Sequence, residues 1–253
     1  LAFAKTGRQE LYTLCGIIKK YKPKKILEVG VAAGGTSAVI MNAVNKLNYR
    51  ADLYCIDRAE TCFWDETQKV GFVSEIAKQH MDNYCNLHLF NGMTLIHKIE
   101  EIGDEIDLVL LDTNHTMPGE ILDFLVVFPY LKKNAIVIVD DILTPILHQL
   151  PPYNNLNAWM QIAPRILWTN ISGETIDIAY KNWKKYQYGI KQVDVNDYSQ
   201  IRRMVELLYL PWKSAFDEET LDCIVKHLNK YYLEEITVKF KQALELNKML
   251  YEN

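Results

Sequence analysis

Three carboxylates that follow two apolar segments are the groups of this chain most able to do chemistry. Segments 107–115 (DLVLLDTNH) and 135–141 (AIVIVDD) each read as a buried parallel strand that ends abruptly in acids. We expect Asp112, Asp140 and Asp141 to lie together at the carboxyl ends of these strands. Three gathered carboxylates repel one another unless a cation or a bound proton compensates. The sequence therefore predicts a divalent metal site, although Asp140 and Asp141 could also be helix-start acids with no metal bound.

A strand, a glycine turn and a helix near the amino end predict a second functional feature. Strand 25–29 (KILEV) runs into 30–35 (GVAAGG), and a helix opens at Thr36 or Ser37. Glycines permit positive φ and close backbone approach, and free amides at a helix start can hold polar ligand groups. The pattern is typical of a nucleotide site, but glycine turns after strands also occur for packing reasons.

Two later strand ends indicate the same kind of ligand. Strand 52–56 ends in Asp57, about twenty residues after the glycine turn, where doubly wound folds place an acid against ribose hydroxyls. Gly92 and Met93 follow strand 86–90 and could form walls for an adenine ring. We therefore expect an adenosine-bearing ligand. Asp57 could instead cap its own loop, and Gly92 could be an ordinary turn glycine.

Strands and helices alternate along the chain, which predicts a Rossmann-like, doubly wound α/β fold. Its sheet is expected to be mostly parallel with an antiparallel edge formed by segments 166–180 and 188–195, with helices on both faces and extra helices at both chain ends. We expect one domain over 1–253, with a cofactor- and metal-binding core at 7–141 and the edge strands and terminal helices at 142–253. The predicted helices cover residues 6–22, 36–47, 66–81, 118–131, 198–210, 218–228 and 232–250.

Composition and charge restrict the class of protein. The chain has 253 residues, 49% of them hydrophobic and 24% charged, which allows a substantial core. A formal net charge of −4 argues against a nucleic-acid partner held by phosphate contacts, and favours a small molecule. Its five cysteines are scattered, without the spacing of zinc ligands.

No apolar segment approaches the roughly 20 residues that cross a bilayer, and no secretory signal is evident, so we expect a cytoplasmic protein that does not enter the membrane. The sequence begins at Leu1 without Met, so residues could precede it.

Segment 26–37 (ILEVGVAAGGTS), Asp57 and the order of strands up to Val139 resemble the class I S-adenosylmethionine-dependent methyltransferases, over roughly residues 7–141. The glycine turn has Ala32 where the usual GxGxG pattern of that family has its middle glycine. The resemblance implies S-adenosylmethionine as the cofactor. The cofactor-binding residues that it implies are Glu28, Gly30, Ala32, Gly34, Thr36, Ser37, Asp57, Gly92, Met93 and Asp112.

The acids at the two later strand ends resemble those of metal-dependent small-molecule O-methyltransferases, especially the sugar and macrolide enzymes related to the cephalosporin hydroxylase group. In that group an Asp is followed three residues later by a His and then by an acid–Asp pair. The resemblance implies that Asp112, Asp140 and Asp141 hold Mg²⁺ and that His115 is the general base. Catechol-type enzymes are similar, with Lys in place of His115 and Asn in place of Asp141. Asp140 is often Glu in the sugar enzymes, so its reach here is shorter by one methylene.

The predicted chemistry is methyl transfer to a hydroxyl oxygen, which is a poor nucleophile while protonated. A hard dication held by carboxylates would coordinate that oxygen and stabilise developing negative charge. His115, with an ordinary imidazole pKa of about 6.5, could take the proton at neutral pH. The same histidine could instead merely cap the helix that follows it. The expected acceptor is a hydroxylated small molecule such as a sugar, a glycan or a secondary metabolite.

Two other functions remain open from the sequence. A nicotinamide-dependent dehydrogenase also has a strand, a glycine turn and an acid, although it does not need the acids of segments 107–115 and 135–141. A non-catalytic accessory protein with the same fold would carry a vestigial site. The long terminal helix could pack on the domain or on a second subunit, so a homo-oligomer is possible. Six aromatic residues could stack on an acceptor or belong to the core: Trp159, Trp168, Trp183, Tyr186, Tyr188 and Trp212.

Overall fold

Strands and helices alternate through most of the chain, as the sequence predicts. The computed structural model describes residues 6–147, 161–177, 187–213 and 215–251. The strands are β1 (Lys25–Val29), β2 (Ala51–Asp57), β3 (Thr61–Cys62), β4 (Asp65–Lys69), β5 (Cys85–Asn91), β6 (Ile106–Leu111), β7 (Leu131–Val139), β8 (Gly173–Thr175) and β9 (Gly189–Val193). The helices are α1 (Arg8–Tyr21), α2 (Gly35–Lys46), α3 (Phe72–Lys78), α4 (Ile99–Ile102), α5 (Gly119–Val127), α6 (Thr144–Leu147), α7 (Ala163–Asn170), α8 (Ser199–Leu207), α9 (Glu218–Tyr231) and α10 (Glu234–Tyr251).

Seven of the strands form one sheet in the order β5-β2-β1-β6-β7-β9-β8. The first five in this order run parallel to one another. The strand β9 is antiparallel to β7, and β8 is antiparallel to β9. These pairings confirm the predicted doubly wound sheet with an antiparallel edge. The strand order reverses at β1, which is where an open α/β sheet opens a ligand crevice at its carboxyl edge.

Helices bury both faces of this sheet. On β1, Leu27 and Val29 face a core that includes Phe124 of α5, whereas Ile26 faces a second core that includes Ile40 of α2. Side chains alternate across a strand, so a strand covered on both faces must be apolar at nearly every position. This requirement explains why the central strands are readable in the sequence as continuous apolar runs.

The prediction of a helix over 66–81 is wrong in its first part. Strands β3 and β4 form a separate antiparallel hairpin there, and the helix begins only at Phe72. Gly71 precedes that helix with a φ of 78°, a left-handed conformation that suits glycine and interrupts a regular helix. The apolar spacing of Val73 and Ile76 therefore describes only the short helix α3.

The prediction of an edge strand over 166–180 is also wrong over most of its described length. Residues Ala163–Asn170 form the helix α7, and only Gly173–Thr175 extend the sheet. The buried Ala163, Leu167 and Ile171 recur at helical spacing, and Pro164 lies in the first turn, where proline is tolerated. The strand was predicted here from β-branched residues, which indicate strands only weakly. Residues 178–180 lie outside the described part of the chain.

Three terminal helices complete the described chain, close to the predicted bounds. The side chain of Asp217 accepts a hydrogen bond of 2.8 Å from the backbone N–H of Thr220 and so caps α9. Asn247 of α10 accepts from the backbone N–H of Trp212 at 2.7 Å, which ties α10 to the segment after α8. Among the described helices, none is both long enough and apolar enough to cross a membrane. The division into a core at 7–141 and an appended part at 142–253 within one domain stays a prediction.

The ionisable side chain of Glu28 lies inside the core of the sheet. Glu28 on β1 is 1% exposed, and its Oε2 accepts hydrogen bonds from the Ser37 hydroxyl at 2.5 Å and the Cys55 thiol at 3.3 Å. Burial raises the pKa of the Glu28 carboxyl to about 7, against the effect of these two donors. A carboxyl whose native pKa is raised makes the folded state retain a proton that the unfolded state releases.

We expect Phe124→Ala to lower the free energy of unfolding by about 3–5 kcal/mol, because the phenyl ring is fully buried and its loss leaves a cavity. Urea denaturation followed by circular dichroism measures this change. Tyr12→Ala is the control, since Tyr12 is 68% exposed and its loss should change stability by no more than about 0.5 kcal/mol. Equal effects of the two substitutions would contradict the assignment of α5 to the core.

We expect Glu28→Gln to become more stabilising, relative to the native chain, as the pH rises. Between the ordinary pKa of 4.5 and about 7, the native protein binds more protons at this site than the unfolded chain, so its stability falls with pH; Gln does not titrate. The stability difference should grow by about 3 kcal/mol from pH 4.5 to pH 8, at about 1.4 kcal/mol for each unit of pKa shift. Urea denaturation at several pH values measures it. The exposed Glu75→Gln serves as a control, and a pH-independent difference would contradict the raised pKa.

Candidate functional site

A cavity of about 990 Å³ opens at the carboxyl ends of the parallel strands. Its wall includes the glycine turn after β1, Asp57 at the end of β2, Met93 after β5, and the acids that follow β6 and β7. The first residues of the described chain, Thr6 and Gly7, and Gln187 before β9 line it as well. The ends of five strands and the start of the described chain thus face one space.

The glycine turn can be built only with glycine at its ends. Gly30 has a φ of 91°, and a Cβ atom there would lie 1.7 Å from the carbonyl oxygen of Asp112. Gly34 has a φ of 82°, and a Cβ atom there would lie 2.9 Å from the Cα atom of Gly71. Close backbone approach is the reason that glycine is needed at both positions. The turn therefore packs directly on the strand end that carries Asp112.

Asp57 braces the glycine turn. Its Oδ2 accepts hydrogen bonds from the backbone N–H groups of Val31 and Ala32 at 2.8 and 3.0 Å, and its Oδ1 accepts from Ala59 N–H at 2.8 Å. The carboxylate also lines the cavity. The loop-capping role that the sequence left open is therefore real, while a contact with ribose hydroxyls stays a prediction.

The other residues predicted to bind the cofactor divide into two groups. Those that line the cavity are Glu28, Gly30, Ala32, Thr36, Asp57, Met93 and Asp112. Gly34, Ser37 and Gly92 lie beside the cavity and are not among its described lining. The Ser37 hydroxyl donates its hydrogen bond to Glu28. The Thr36 hydroxyl lies 3.0 Å from the Thr6 hydroxyl, and this contact links α2 to the segment before α1.

Asp112, His115 and Asp141 meet at the ends of β6 and β7. Their ligand atoms all lie within 4.8 Å of one another, as in a site that could hold a metal ion. His115 Nε2 lies 3.1 Å from Asp141 Oδ2 and 3.8 Å from Asp112 Oδ1. Asp140 lies outside this trio, is 7% exposed, and accepts the backbone N–H of Asp141 on its Oδ1 at 2.7 Å. The predicted carboxylates are thus neighbours, and His115 is as close to them as an ion ligand would be.

Negative charge is in excess at this trio. Burial raises the pKa of the Asp112 carboxyl to about 7, with Asp141 acting in the same direction and His115 opposing it. Burial, Asp112 and Asp141 together raise the pKa of Asp140 well above its usual range. No lysine or arginine of the described residues lies within 4 Å of Asp112, Asp140 or Asp141. Burial is the main cause of these shifts and mutual repulsion adds to it; a bound cation would offset both.

Sequence reasoning missed Glu120, which contacts His115 from the side away from Asp141. Its Oε1 lies 3.2 Å from His115 Nδ1 and accepts the His115 backbone N–H at 2.9 Å. Burial lowers the pKa of His115, but Glu120, Asp141 and Asp112 raise it more, to about 9. An acid in the first turn of a helix looks like an ordinary dipole partner. The only available signal was its spacing, five residues after His115 and directly after Gly119.

The aromatic residues proposed for acceptor stacking are mostly core residues where they are described. Tyr188 and Trp212 are buried, and Trp168 packs against the main core. Trp159, Trp183 and Tyr186 lie outside the described residues. Phe63, at the tip of the β3–β4 hairpin, lines the cavity and is 81% exposed. It is an aromatic group that the sequence reading did not select.

Comparisons with known proteins agree with this geometry. Residues 27–142 match a family model described as a methyltransferase domain. No curated protein matches the sequence significantly.

Solved structures with a similar fold include a Staphylococcus aureus protein assigned as a caffeoyl-CoA O-methyltransferase, at 18% identity and a TM-score of 0.51, covering 75% of this chain and 86% of that one. The O-methyltransferase TomG from Streptomyces achromogenes, involved in tomaymycin synthesis and solved with S-adenosylmethionine, has 16% identity and a TM-score of 0.51, covering 74% of this chain and 81% of that one. An O-methyltransferase from Bacillus cereus in complex with S-adenosylhomocysteine has 12% identity and a TM-score of 0.51, covering 74% and 80%.

The family match covers β1 to β7 and ends just after Asp141, so it includes the glycine turn and the predicted acids. At these identities the structural likenesses establish the fold. Together they confirm the predicted resemblance to the class I S-adenosylmethionine-dependent methyltransferases: residues 27–142 match a methyltransferase domain model, and the solved structures share the fold.

Proposed function

We propose that this protein transfers the methyl group of S-adenosylmethionine to a hydroxyl oxygen of a small molecule, assisted by a divalent cation, with Mg²⁺ as the first candidate. One observation carries the proposal: the charge-dense trio Asp112, His115 and Asp141 and the glycine turn line the same cavity. A cofactor held by the turn and an ion held by the trio would therefore be neighbours.

The donor set fits a divalent cation. Asp112 and Asp141 offer carboxylate oxygens, which hard cations prefer, and Asp140 is the third carboxylate of the proposed set. An imidazole nitrogen lies within the same 4.8 Å cluster, so transition metals such as Mn²⁺ would also suit it. When bound, the ion would act as a Lewis acid toward the acceptor hydroxyl.

The glycine turn and its neighbours fit the cofactor. In this proposal Asp57, which lines the cavity while bracing Val31 and Ala32, accepts hydrogen bonds from the ribose hydroxyls. Met93 offers an apolar wall to the adenine ring. Gly30 allows the turn to approach Asp112, so the two binding regions are held at a fixed separation.

His115 is the proposed general base, because its Nε2 faces the carboxylates at which the acceptor hydroxyl would lie. Glu120, followed by Asp141 and Asp112, raises the pKa of the imidazole to about 9 against the effect of burial, so part of the shift comes from the carboxylates that an ion would neutralise. Neutralisation of their charge would favour the neutral ring, which can accept a proton at physiological pH. Positioning of the two reacting groups in one enclosed space supplies a further part of the rate.

The acceptor in this proposal is a hydroxylated sugar, glycan or secondary metabolite, and the protein works in the cytoplasm, as a monomer or a homo-oligomer. A nicotinamide dehydrogenase is the competing enzyme class, but it has no use for the acids after β6 and β7. Calorimetry with S-adenosylhomocysteine and with NAD separates the two. A chain that binds neither would favour the non-catalytic alternative.

Metal binding is tested with Asp112→Asn and Asp141→Asn. Each substitution removes a charged ligand, so we expect the affinity for Mn²⁺, measured by electron paramagnetic resonance, to fall at least about 10-fold. Asp82→Asn, at an exposed position, is the matched control and should bind Mn²⁺ normally. Unchanged affinity in both site variants would refute the metal centre.

The substitutions Asp140→Asn and His115→Asn distinguish a residue that binds the metal from one that acts as the general base. If Asp140 is the third ligand and His115 the base, Asp140→Asn weakens Mn²⁺ binding, whereas His115→Asn retains it and lowers methyl transfer by about 10²-fold or more. Transfer of a labelled methyl group to a panel of hydroxylated acceptors, with and without a chelator, measures activity. The opposite pattern of Mn²⁺ affinities would make His115 a ligand.

Asp57→Asn should weaken S-adenosylhomocysteine binding about 10-fold or more. The amide has one acceptor oxygen in place of two, so it cannot serve the turn and the ribose as the carboxylate does. Calorimetry gives the affinity, and thermal unfolding of the free protein shows whether the turn has been disturbed. An unaltered affinity would remove Asp57 from the cofactor site.

A further inference from the structure

We propose that Glu120 is the positioning residue of His115: its carboxylate holds the imidazole so that Nε2, and not Nδ1, faces Asp112 and Asp141. The catalytic consequence rests on the function proposed above, but the orientation itself can be measured without it. Nothing in the sequence pattern or in the comparisons assigns a role to this side chain.

One carboxylate oxygen contacts two nitrogens of the same residue. Glu120 Oε1 accepts the backbone N–H of His115 at 2.9 Å and lies 3.2 Å from its Nδ1. On the other edge of the ring, Nε2 lies 3.1 Å from Asp141 Oδ2. The ring is thus held at both edges by acids from different elements, and its orientation is determined.

The backbone of His115 also needs support. Its φ is 60°, a left-handed conformation that is uncommon for a residue with a side chain. Glu120 binds its N–H, and the backbone N–H of Ala163 donates to its carbonyl oxygen at 3.3 Å. Helices α5 and α7 therefore hold the loop from two sides. Helix α5 does so through the Glu120 side chain and helix α7 through its backbone.

The contact with Nδ1 selects the form of the ring. The 3.2 Å contact between Nδ1 and Glu120 Oε1 is an ion-pair distance outside hydrogen-bond geometry. A nitrogen lone pair facing a carboxylate oxygen is still repelled, whereas an N–H is attracted, so the contact favours a proton on Nδ1. In the neutral ring Nε2 is then the basic nitrogen. This is the atom that faces the proposed ion-binding acids, and it could serve either as a base or as a ligand.

Burial argues against a purely structural role for Glu120. The residue is 0% exposed, and its Oε2 has no hydrogen-bond partner among the described residues. Its helix neighbours Ile121 and Leu122 are ordinary apolar core residues. A buried carboxylate with so few partners costs several kcal/mol compared with an apolar side chain. A position that only filled space would therefore suit Leu better.

Nuclear magnetic resonance of the histidine side chains in the full chain, without added metal and at a pH at which the imidazole is neutral, tests the proposal directly. The His115 ring nitrogens are assigned by their loss in His115→Asn. We expect the native ring to be protonated at Nδ1. In Glu120→Leu, which has no acceptor but suits the core, both tautomers should be populated. Glu120→Gln keeps the shape of the side chain without its charge, so its tautomer populations should lie between those of the native chain and of Glu120→Leu.

Kinetics supply the second readout. Glu120→Gln should lower kcat about 10- to 100-fold, the range found when outer partners of a histidine are lost, with KM values for both substrates unchanged. Glu75→Gln, an exposed substitution with the same change of charge, should alter neither kcat nor the resonances. Because Glu75 lies on α3 and lines none of the cavity, it controls for net charge alone.

The outcomes are separable. An unchanged His115 tautomer in Glu120→Leu, with only a lower melting temperature, would mean that Glu120 is structural and would overturn the proposal. If the native chain transfers no methyl group to any acceptor but the tautomer responds to Glu120→Leu, the positioning role stands and the proposed reaction fails. A higher KM for either substrate with an unchanged kcat in Glu120→Gln would also contradict the positioning role.

Discussion

The site depends on the close approach of two strand ends. The glycine turn after β1 packs on the carbonyl group of Asp112 after β6, with no room for even a Cβ atom on Gly30. Asp112 N–H in turn donates to the carbonyl oxygen of Val29 at 2.9 Å. Backbone contacts thereby fix the separation of the glycine turn and Asp112, the first member of the acidic trio. A methyl transfer tolerates little error in the distance between donor and acceptor, and backbone packing is the most rigid way to set it.

Charge sets the second constraint. Burying carboxylates near one another is unfavourable unless something opposes their charge, and the raised pKa values of Asp112 and Asp140 express that cost. His115 opposes part of it in the free protein. An arriving cation would take over this role, which would leave the imidazole for proton transfer. The same electrostatics would then favour ion binding and prepare the base, and Glu120, lying behind the ring, would keep Nδ1 out of that exchange.

The sequence was sufficient for the sheet and for the strand ends, because buried parallel strands are continuous apolar runs and acids interrupt them sharply. It was insufficient where local preference and tertiary context disagree. The β-branched residues of 166–170 read as a strand but pack as α7, and Gly71 confines the expected helix to seven residues. Glu120 could not be found, since its partner is a loop residue whose position depends on a left-handed backbone. Periodicity carries no information about such loops.

Part of the backbone strain falls on residues with proposed chemical roles. Among the described residues that are not glycine, seven have positive φ, and three of them line the cavity: Ala32 at 51°, His115 at 60° and Asp141 at 58°. Asparagine accounts for two of the other four, and it tolerates this conformation well.

Ala32 occupies the position where related glycine turns have glycine, so it adopts a glycine conformation at a cost of order 1 kcal/mol. The packing of the turn on Asp57 must offset that cost. His115 and Asp141 lie in the loops after β6 and β7, and both have left-handed backbones where the imidazole and the carboxylate come within 3.1 Å of each other.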